Sequence, residues 1–199
     1  MELYLLGGRP CSGKTTLSYY LGQKHKIEVR YLDVFAQKCI NESTIDTPNI
    51  YRWKDKDLVD VLQKKPDILF NEYLGFYEEM FPMLFDELDS IKEKKVILEG
   101  SIFLPKFIDT LKEKYDVNIC YLVTDDDFVK EKYIKRDYVQ DMLTKPNGEI
   151  AVTNLLERDS IFANYIANEI EKYSLPRIHI KSGNDIEKEL SALEKILGL

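Results

Sequence analysis

Residues 8–15 read Gly-Arg-Pro-Cys-Ser-Gly-Lys-Thr, which is the pattern G-x-x-x-x-G-K-T. Glycines in such a loop let backbone N–H groups curl around phosphate oxygens without a Cβ in the way. Lys14 supplies a positive charge for β- and γ-phosphates, and the Thr15 hydroxyl is a ligand for Mg²⁺. The segment therefore predicts a site for the triphosphate of a Mg²⁺-bound nucleotide. The predicted phosphate-binding residues are Gly8, Arg9, Pro10, Cys11, Ser12, Gly13, Lys14, Thr15 and Thr16.

The alternative interpretation of residues 8–15 is a glycine-rich turn that only joins a strand to a helix. The context favours phosphate binding, because the motif follows a predicted strand and opens a predicted helix. Cys11 also has two interpretations. The helix N-terminus would lower the pKa of its thiol, or Cys11 is a small filler in a loop that binds through its backbone.

Two carboxylates follow predicted strands at the edge of the sheet where α/β proteins bind ligands. Asp33 follows the second strand and could accept the proton of a substrate hydroxyl, or it could cap a turn or helix. Glu99 follows the apolar run 96–98, where a carboxylate is costly to bury without a partner. We expect it to act on Mg²⁺ or its water. Gly100 and Ser101 come next, and their small size would let a substrate approach.

Three arginines are candidates for binding negative charge. Arg136 and Arg158 lie in two charged helical segments and could stabilise charge on a transferring phosphoryl group. For each of them, ordinary pairing with a nearby carboxylate is the alternative. Arg52 precedes Trp53 after a turn and could help to hold an anionic or aromatic substrate. Its alternative is an exposed arginine beside a packed tryptophan.

Short apolar runs alternate along the chain with segments of helical spacing. The predicted strands are 3–7, 28–32, 96–98, 118–123 and 177–181. The predicted helices are 14–24, 66–91 with a kink at Pro82, 105–114, 125–143, 153–173 and 185–197, whereas 34–55 is ambiguous. Strands separated by helices form a mainly parallel sheet that is covered on both faces. The pattern predicts one three-layer α/β/α domain over residues 1–199.

The composition excludes several classes of protein. The 199 residues carry a net charge of −7, which argues against a protein that neutralises the phosphates of long nucleic acid. No apolar run approaches the 18 residues of a membrane span, and the first residues show no secretory signal. Cys11, Cys39 and Cys120 are odd in number and widely spaced, which is typical of reduced thiols. We expect a cytoplasmic enzyme.

The motif and the order of elements resemble the nucleoside-monophosphate-kinase-like and shikimate-kinase-like group of P-loop kinases. The resemblance covers nearly the whole chain, although only residues 8–15 are a specific motif. It implies a P-loop NTPase fold whose five-stranded parallel sheet has the order 2-3-1-4-5, with a helical lid at about 126–171. The lid arginines would be Arg136 in first place and Arg158 in second. The loop that contacts adenine would be Ser182, Gly183 and Asn184.

The same resemblance bears on the phosphoryl acceptor. An aspartate after the second strand recurs in relatives that phosphorylate hydroxyls, such as shikimate-, gluconate- and chloramphenicol-kinase-like enzymes, and Asp33 matches it. Adenylate kinases instead bind the acceptor nucleotide with arginines, and residues 34–50 contain none. The segment 96–101 also resembles small uncharacterised kinases of this group. An alcohol acceptor is therefore favoured over a nucleoside monophosphate.

The leading hypothesis is a phosphotransferase that uses ATP and Mg²⁺ to phosphorylate a hydroxyl of a small metabolite. Lys14, Asp33, Glu99 and Arg136 would be its catalytic residues, and Thr15 and Glu99 would hold the metal. Asp33, Arg52, Gly100 and Ser101 would bind the substrate. The alternatives are a nucleoside or nucleotide kinase and a regulatory protein that binds a nucleotide without turnover. A switch GTPase is disfavoured because D-x-x-G and [NT]-K-x-D are both absent. The oligomeric state is left open.

Overall fold

Five parallel strands form one sheet at the centre of the fold. The structure is a computed structural model that describes residues 1–181 and 185–199. The strands are β1 (Glu2–Gly8), β2 (Glu28–Tyr31), β3 (Lys95–Glu99), β4 (Asp116–Thr124) and β5 (Arg177–Ile180). The central strand β1 pairs in parallel with β3 and with β4. The order in the sheet is β2-β3-β1-β4-β5, so the predicted strand order 2-3-1-4-5 is confirmed.

Helices cover both faces of this sheet because the side chains of β1 alternate between two apolar clusters. Leu3 and Leu5 join a cluster with helices α5 (Pro66–Asp89) and α9 (Gly148–Lys172), whereas Tyr4 and Leu6 join one with α1 (Lys14–His25) and α10 (Ile186–Leu197). The three-layer arrangement is therefore confirmed. The helices are α1 (Lys14–His25), α2 (Leu32–Glu42), α3 (Pro48–Tyr51), α4 (Leu58–Val61), α5 (Pro66–Asp89), α6 (Ile108–Lys112), α7 (Asp126–Tyr133), α8 (Asp137–Leu143), α9 (Gly148–Lys172) and α10 (Ile186–Leu197).

Several predicted elements have different ends in the structure. Strand β2 ends at Tyr31 and α2 begins at once, so Asp33 lies in the first turn of a helix. The predicted helix 105–114 is a 3-10 turn (Pro105–Phe107) followed by the short helix α6. Helix α9 begins at Gly148 and not at 153, directly after Asn147 in the left-handed region with φ 61°. Helix α5 begins at Pro66, as predicted, and contains Pro82.

The prediction of one continuous helix over 125–143 is wrong. Helix α7 ends at Tyr133 and α8 begins at Asp137, with Arg136 in an extended conformation between them. The break is stabilised locally, because the side-chain amide of Gln140 donates to the carbonyl of Ile134 at 2.6 Å. That bond satisfies one of the carbonyls that a helix C-terminus leaves without a partner. Arg136 therefore lies at a junction and not on a helical face.

The region of the expected lid has a third apolar cluster of its own. Val129 of α7, Val139 and Met142 of α8, and Leu155 of α9 pack together in it. Val59 of α4 and Leu62, which follows α4, complete the base of this cluster. The cluster connects α7, α8 and α9 to α4, next to the phosphate-binding motif. Within the described ranges, no helix is both long enough and apolar enough to cross a bilayer.

Candidate functional site

The predicted phosphate loop is the turn between β1 and α1. Its backbone needs positive φ angles at Gly8 (132°), Cys11 (60°) and Gly13 (92°). Gly8 is required for a second reason, because a Cβ there would lie 2.4 Å from the carbonyl oxygen of Leu122. The loop then runs into the N-terminus of α1, whose free N–H groups and dipole favour an anion.

Lys14 lies at the centre of this loop and is only 7% exposed. Its Nζ donates to the carbonyl oxygens of Gly8 at 3.2 Å and Arg9 at 2.8 Å. Burial lowers the pKa of the ammonium, and the carboxylates of Glu99 and then Asp33 oppose that shift. Lys14 is thus a desolvated charge with two carboxylates nearby, and its interaction with an anion would be strong in this setting.

Thr15 and Glu99 are brought into direct contact by the pairing of β1 with β3. The Thr15 hydroxyl donates to Oε1 of Glu99 at 2.9 Å, and Glu99 is 3% exposed. A hydroxyl and a carboxylate are both oxygen ligands of the kind that Mg²⁺ prefers. Among the described residues, no group of three or more His, Cys, Asp or Glu side chains could hold a metal. Two protein oxygens beside a phosphate loop fit Mg²⁺, which takes most of its ligands from water and phosphates.

We expect the affinity for MgATP to depend on the ionisation of Glu99. Burial raises its pKa, although the charge of Lys14 and the Thr15 hydrogen bond oppose the shift. As the pH falls, Glu99 should therefore become protonated earlier than an ordinary glutamate and lose its attraction for the metal. At pH 7.5, Glu99→Gln should weaken MgATP binding by about tenfold or more.

The measurement is the Kd of wild type and Glu99→Gln for MgATP between pH 8 and pH 5. Both proteins bind the same ligand, so protonation of ATP itself cancels in the ratio of the two Kd values. That ratio should decrease towards 1 as the pH falls. A ratio near 1 at every pH would argue against a role for the Glu99 carboxylate, and a ratio that stays high down to pH 5 would argue against its raised pKa.

Two cavities meet at the phosphate loop and share Cys11, Lys14, Thr15 and Arg136 as lining residues. One has a volume of about 350 Å³ and is called here the aromatic cavity. Its other lining residues are Pro10, Asp33, Trp53, Leu58, Leu62, Tyr73, Tyr77, Glu99, Ser101, Tyr133, Tyr138, Leu155 and Arg158. The second, of about 450 Å³, is called the helix-side cavity. Its other lining residues are Ser12, Gly13, Thr16, Leu17, Phe128, Lys132, Lys135, Ile180, Lys181, Ile186 and Glu189.

The predicted substrate-binding residues are only partly brought together. Asp33 and Ser101 line the aromatic cavity beside Lys14. Arg52 does not line it. Instead, Arg52 pairs with Glu72 and donates to Oδ1 of Asn49 at 3.0 Å.

Two other residues belong to this part of the prediction: Trp53, which follows Arg52, and Gly100, which is itself predicted to bind the substrate. Trp53, next to Arg52, lines the aromatic cavity. Gly100 serves packing more than access, because a Cβ there would lie 3.0 Å from the Cβ of Leu32. The small size of Gly100 therefore lets α2 lie close to the end of β3.

The two predicted lid arginines differ in their surroundings. Arg136 is exposed and lines both cavities at the break between α7 and α8. Arg158 is 4% exposed and lines only the aromatic cavity. Its Nε and Nη2 donate to Oδ1 of Asp159 at 2.8 and 2.5 Å, and its guanidinium lies 4.1 Å from the centre of the Tyr73 ring. The pairing alternative therefore describes Arg158, while Arg136 is the arginine near both cavities.

The other predicted nucleotide-binding residues have different neighbours from those of Lys14 and Thr15. Burial raises the pKa of the Cys11 thiol, which favours the interpretation of Cys11 as a small filler over that of a thiol whose pKa the helix N-terminus lowers. The side chain of Arg9 pairs with Asp126 at the start of α7 and lines neither cavity. The Ser12 hydroxyl is buried without a hydrogen-bond partner among the described residues. The predicted adenine-contacting residues Ser182, Gly183 and Asn184 lie outside the described residues.

The sequence interpretation missed most of the aromatic lining of the first cavity. Tyr73 and Tyr77 lie one turn apart on α5, where Tyr77 also fits the apolar core pattern. Tyr133 and Tyr138 stand on either side of the break between α7 and α8. The one available signal was the composition, since the chain contains 13 tyrosines.

Comparison with known sequences gives one distant relative. No protein-family model matches the chain. The 2',3'-cyclic-nucleotide 3'-phosphodiesterase of Mus musculus is 24% identical over 192 residues, which are 94% of this chain and 44% of that protein. The chain therefore spans less than half the length of the curated relative that it matches.

Comparison with solved structures gives kinases over the full length of the chain. Shikimate kinase from Bacteroides thetaiotaomicron is similar with a TM-score of 0.54 and 17% identity, covering 100% of this chain and 99% of that one. Deoxyadenosine kinase from M. mycoides with bound dATP has a TM-score of 0.53 and 11% identity, covering 99% and 100%. A gluconokinase from Sinorhizobium meliloti 1021 has a TM-score of 0.55 and 10% identity, covering 99% and 94%. The chain has the fold of the P-loop kinases, which confirms the resemblance at the level of fold.

Proposed function

We propose that the protein is a kinase that transfers the γ-phosphoryl group of ATP to a hydroxyl of a small molecule. The observation that carries this proposal is the meeting of two cavities at Lys14 and Thr15. A donor nucleotide and an acceptor can then approach the same γ-phosphate from opposite sides. The helix-side cavity, at the N-terminus of α1, is the proposed nucleotide site, and the aromatic cavity is the proposed acceptor site.

Asp33 is the proposed base in the aromatic cavity. Its carboxylate would accept the proton of the acceptor hydroxyl as the oxygen of that hydroxyl bonds to the γ-phosphorus. The bond between that phosphorus and the bridging oxygen breaks, and ADP leaves with the electron pair. The products are ADP and a phosphate monoester. Positioning and charge neutralisation supply most of the rate acceleration in such transfers.

The positive groups at the loop would stabilise the charge on the transferring group. Lys14 lies between both cavities, and Arg136 lines both, so each can reach the γ-phosphate. Thr15 and Glu99 would hold Mg²⁺, which, when bound with ATP, neutralises charge on the phosphate oxygens. The proposed partner is thus a small hydroxylated molecule, and the net charge of −7 argues against a long nucleic acid as acceptor.

The direct test is transfer of labelled γ-phosphate from ATP to a panel of alcohols, sugars and nucleosides. We expect a labelled phosphate monoester with at least one class of acceptor, and we expect EDTA to abolish its formation. Binding of ATP with release of inorganic phosphate alone would contradict the kinase proposal. Binding of ATP with no turnover at all would support the alternative of a regulatory nucleotide-binding protein.

A further inference from the structure

The walls of the aromatic cavity are aromatic to a degree that phosphoryl transfer does not require. Trp53, Tyr73, Tyr133 and Tyr138 all line it, and they come from four separate parts of the chain. Tyr138 is 40% exposed although it lies beside the cavity. The face of an aromatic ring that borders a cavity offers apolar contact area and a partner for offset or edge-to-face stacking.

The charged groups of this cavity that lie outside the phosphate loop give little attraction for an anion. Two cations line it there, Arg136 and Arg158. The proposed function assigns Arg136 to the γ-phosphate, and the charge of Arg158 is neutralised by Asp159, which is fully buried at hydrogen-bond distance. Asp33 adds a negative charge. When Arg136 is bound to the γ-phosphate, an acceptor that carried its own phosphate or carboxylate would therefore meet a repulsive carboxylate and no further unpaired cation in this part of the site.

Hydrogen-bond donors are nevertheless present. The bonds from Arg158 to Asp159 use Nε and Nη2, and among the described residues no acceptor bonds to Nη1. The hydroxyls of Tyr73 and Tyr77 lie 2.5 Å apart, where one donates to the other and one hydroxyl hydrogen is left over. These groups could bind a carbonyl or ring nitrogen of a neutral molecule.

We propose that the acceptor is an uncharged alcohol that carries a planar aromatic ring, with the dimensions of a nucleoside. This inference rests on the proposed function and specifies its substrate class. The cavity volume of about 350 Å³ is at the small end of the range for small-molecule sites. Open-chain polyols are disfavoured because aromatic walls would leave several of their hydroxyls without hydrogen bonds.

Trp53 allows acceptor binding to be measured without turnover, because it is the only tryptophan in the chain and lines this cavity. Its fluorescence would be titrated with uridine, 1-phenyl-1,2-ethanediol, ribose, sorbitol and UMP. A saturating Mg²⁺ complex of AMP-PNP, a non-hydrolysable analogue of ATP, would keep these probes out of the helix-side cavity and would occupy Arg136 with a γ-phosphoryl group. We expect uridine or the phenyl diol to bind at least tenfold more tightly than ribose, sorbitol and UMP. Preference between uridine and the phenyl diol distinguishes a nucleoside from another aromatic alcohol.

A pair of variants tests whether the aromatic wall is responsible. Tyr138→Ala should weaken binding of the preferred aromatic probe by about tenfold, the effect of removing one stacking partner. Tyr20→Ala is the matched control, because Tyr20 is similarly exposed at 43% but lines neither cavity. Equal affinity for ribose, tighter binding of UMP than of uridine, or an unchanged Kd in Tyr138→Ala would each overturn the inference.

The results separate this inference from the kinase proposal. Phosphoryl transfer to sorbitol or ribose, with no binding of uridine or the phenyl diol, would overturn the aromatic specificity and leave the kinase proposal intact. Binding of an aromatic probe that Tyr138→Ala weakens, with no phosphoryl transfer to any acceptor of the panel, would support the specificity and contradict the kinase proposal.

Discussion

Lys14→Met is expected to abolish most of the activity and to weaken ATP binding strongly. The variant keeps the length of the side chain but removes the charge at the centre of the phosphate loop. Hydrogen bonds to a charged group contribute about 1.5–3 kcal/mol each, so the Kd for MgATP should rise by about 10- to 100-fold. At saturating ATP, turnover should fall by a further factor of about 10² to 10³, because charge develops on the phosphoryl oxygens during transfer.

The matched control is Lys24→Met on the same helix. Lys24 is exposed and pairs with Glu194 at the other end of α1, so both variants lose one positive charge from one helix. Calorimetry would measure the Kd for MgATP, and an assay of γ-phosphoryl transfer would measure turnover. If Lys14→Met bound MgATP as tightly as Lys24→Met does, the phosphate-loop interpretation would have to be abandoned.

Lys14→Met should not unfold the protein. Burial lowers the pKa of Lys14, which means that the folded protein disfavours its charged form. At neutral pH, replacing the ammonium by an apolar group of similar length removes that desolvation cost. It also removes two hydrogen bonds to loop carbonyls. Near-normal thermal unfolding of the variant would therefore exclude misfolding as the cause of lost binding.

The parts of this molecule that local chemistry determines could be predicted from the sequence. The glycines of residues 8–15 are required by positive φ angles at Gly8 and Gly13, and that requirement is visible as a motif. The parallel sheet follows from the alternation of apolar strands with helices, and the resemblance to P-loop kinases supplied its order. The contact between Thr15 and Glu99 follows from the pairing of β1 and β3.

Features that depend on contacts between distant segments could not be predicted. The break before Arg136 depends on a side-chain bond from Gln140 to a carbonyl, which helical periodicity does not show. Arg52 and Glu72 are 20 residues apart, and their pairing takes Arg52 out of the proposed acceptor site. An apolar pattern along a helix also does not distinguish a side chain that packs in the core from one that lines a cavity. For this reason the apolar spacing of α5 assigned Tyr77 to the core, although Tyr77 also lines the aromatic cavity.

Asp33→Asn is expected to reduce kcat by about 10² to 10⁴, the usual contribution of a general base. The affinity for MgATP should be unchanged, because Asp33 would bind the acceptor hydroxyl and not the phosphates. The introduced amide would keep the size of the side chain and could still accept a hydrogen bond, but it could not take up the proton. The measurement is the kcat and the ATP KM of the variant with the best acceptor found.

The competing interpretation of Asp33 is purely structural, since it lies in the first turn of α2. A carboxylate there interacts favourably with the helix dipole by about 0.3–1 kcal/mol, so its loss would lower Tm by only a few degrees. Glu42→Gln removes a carboxylate from the other end of the same helix, where it lines neither cavity, and is the control. A structural role predicts a lower Tm with kcat within about threefold of wild type. The proposed base predicts that kcat collapses while ATP affinity hardly changes, whatever the small change in Tm, so the kcat of the folded variant decides between the two roles.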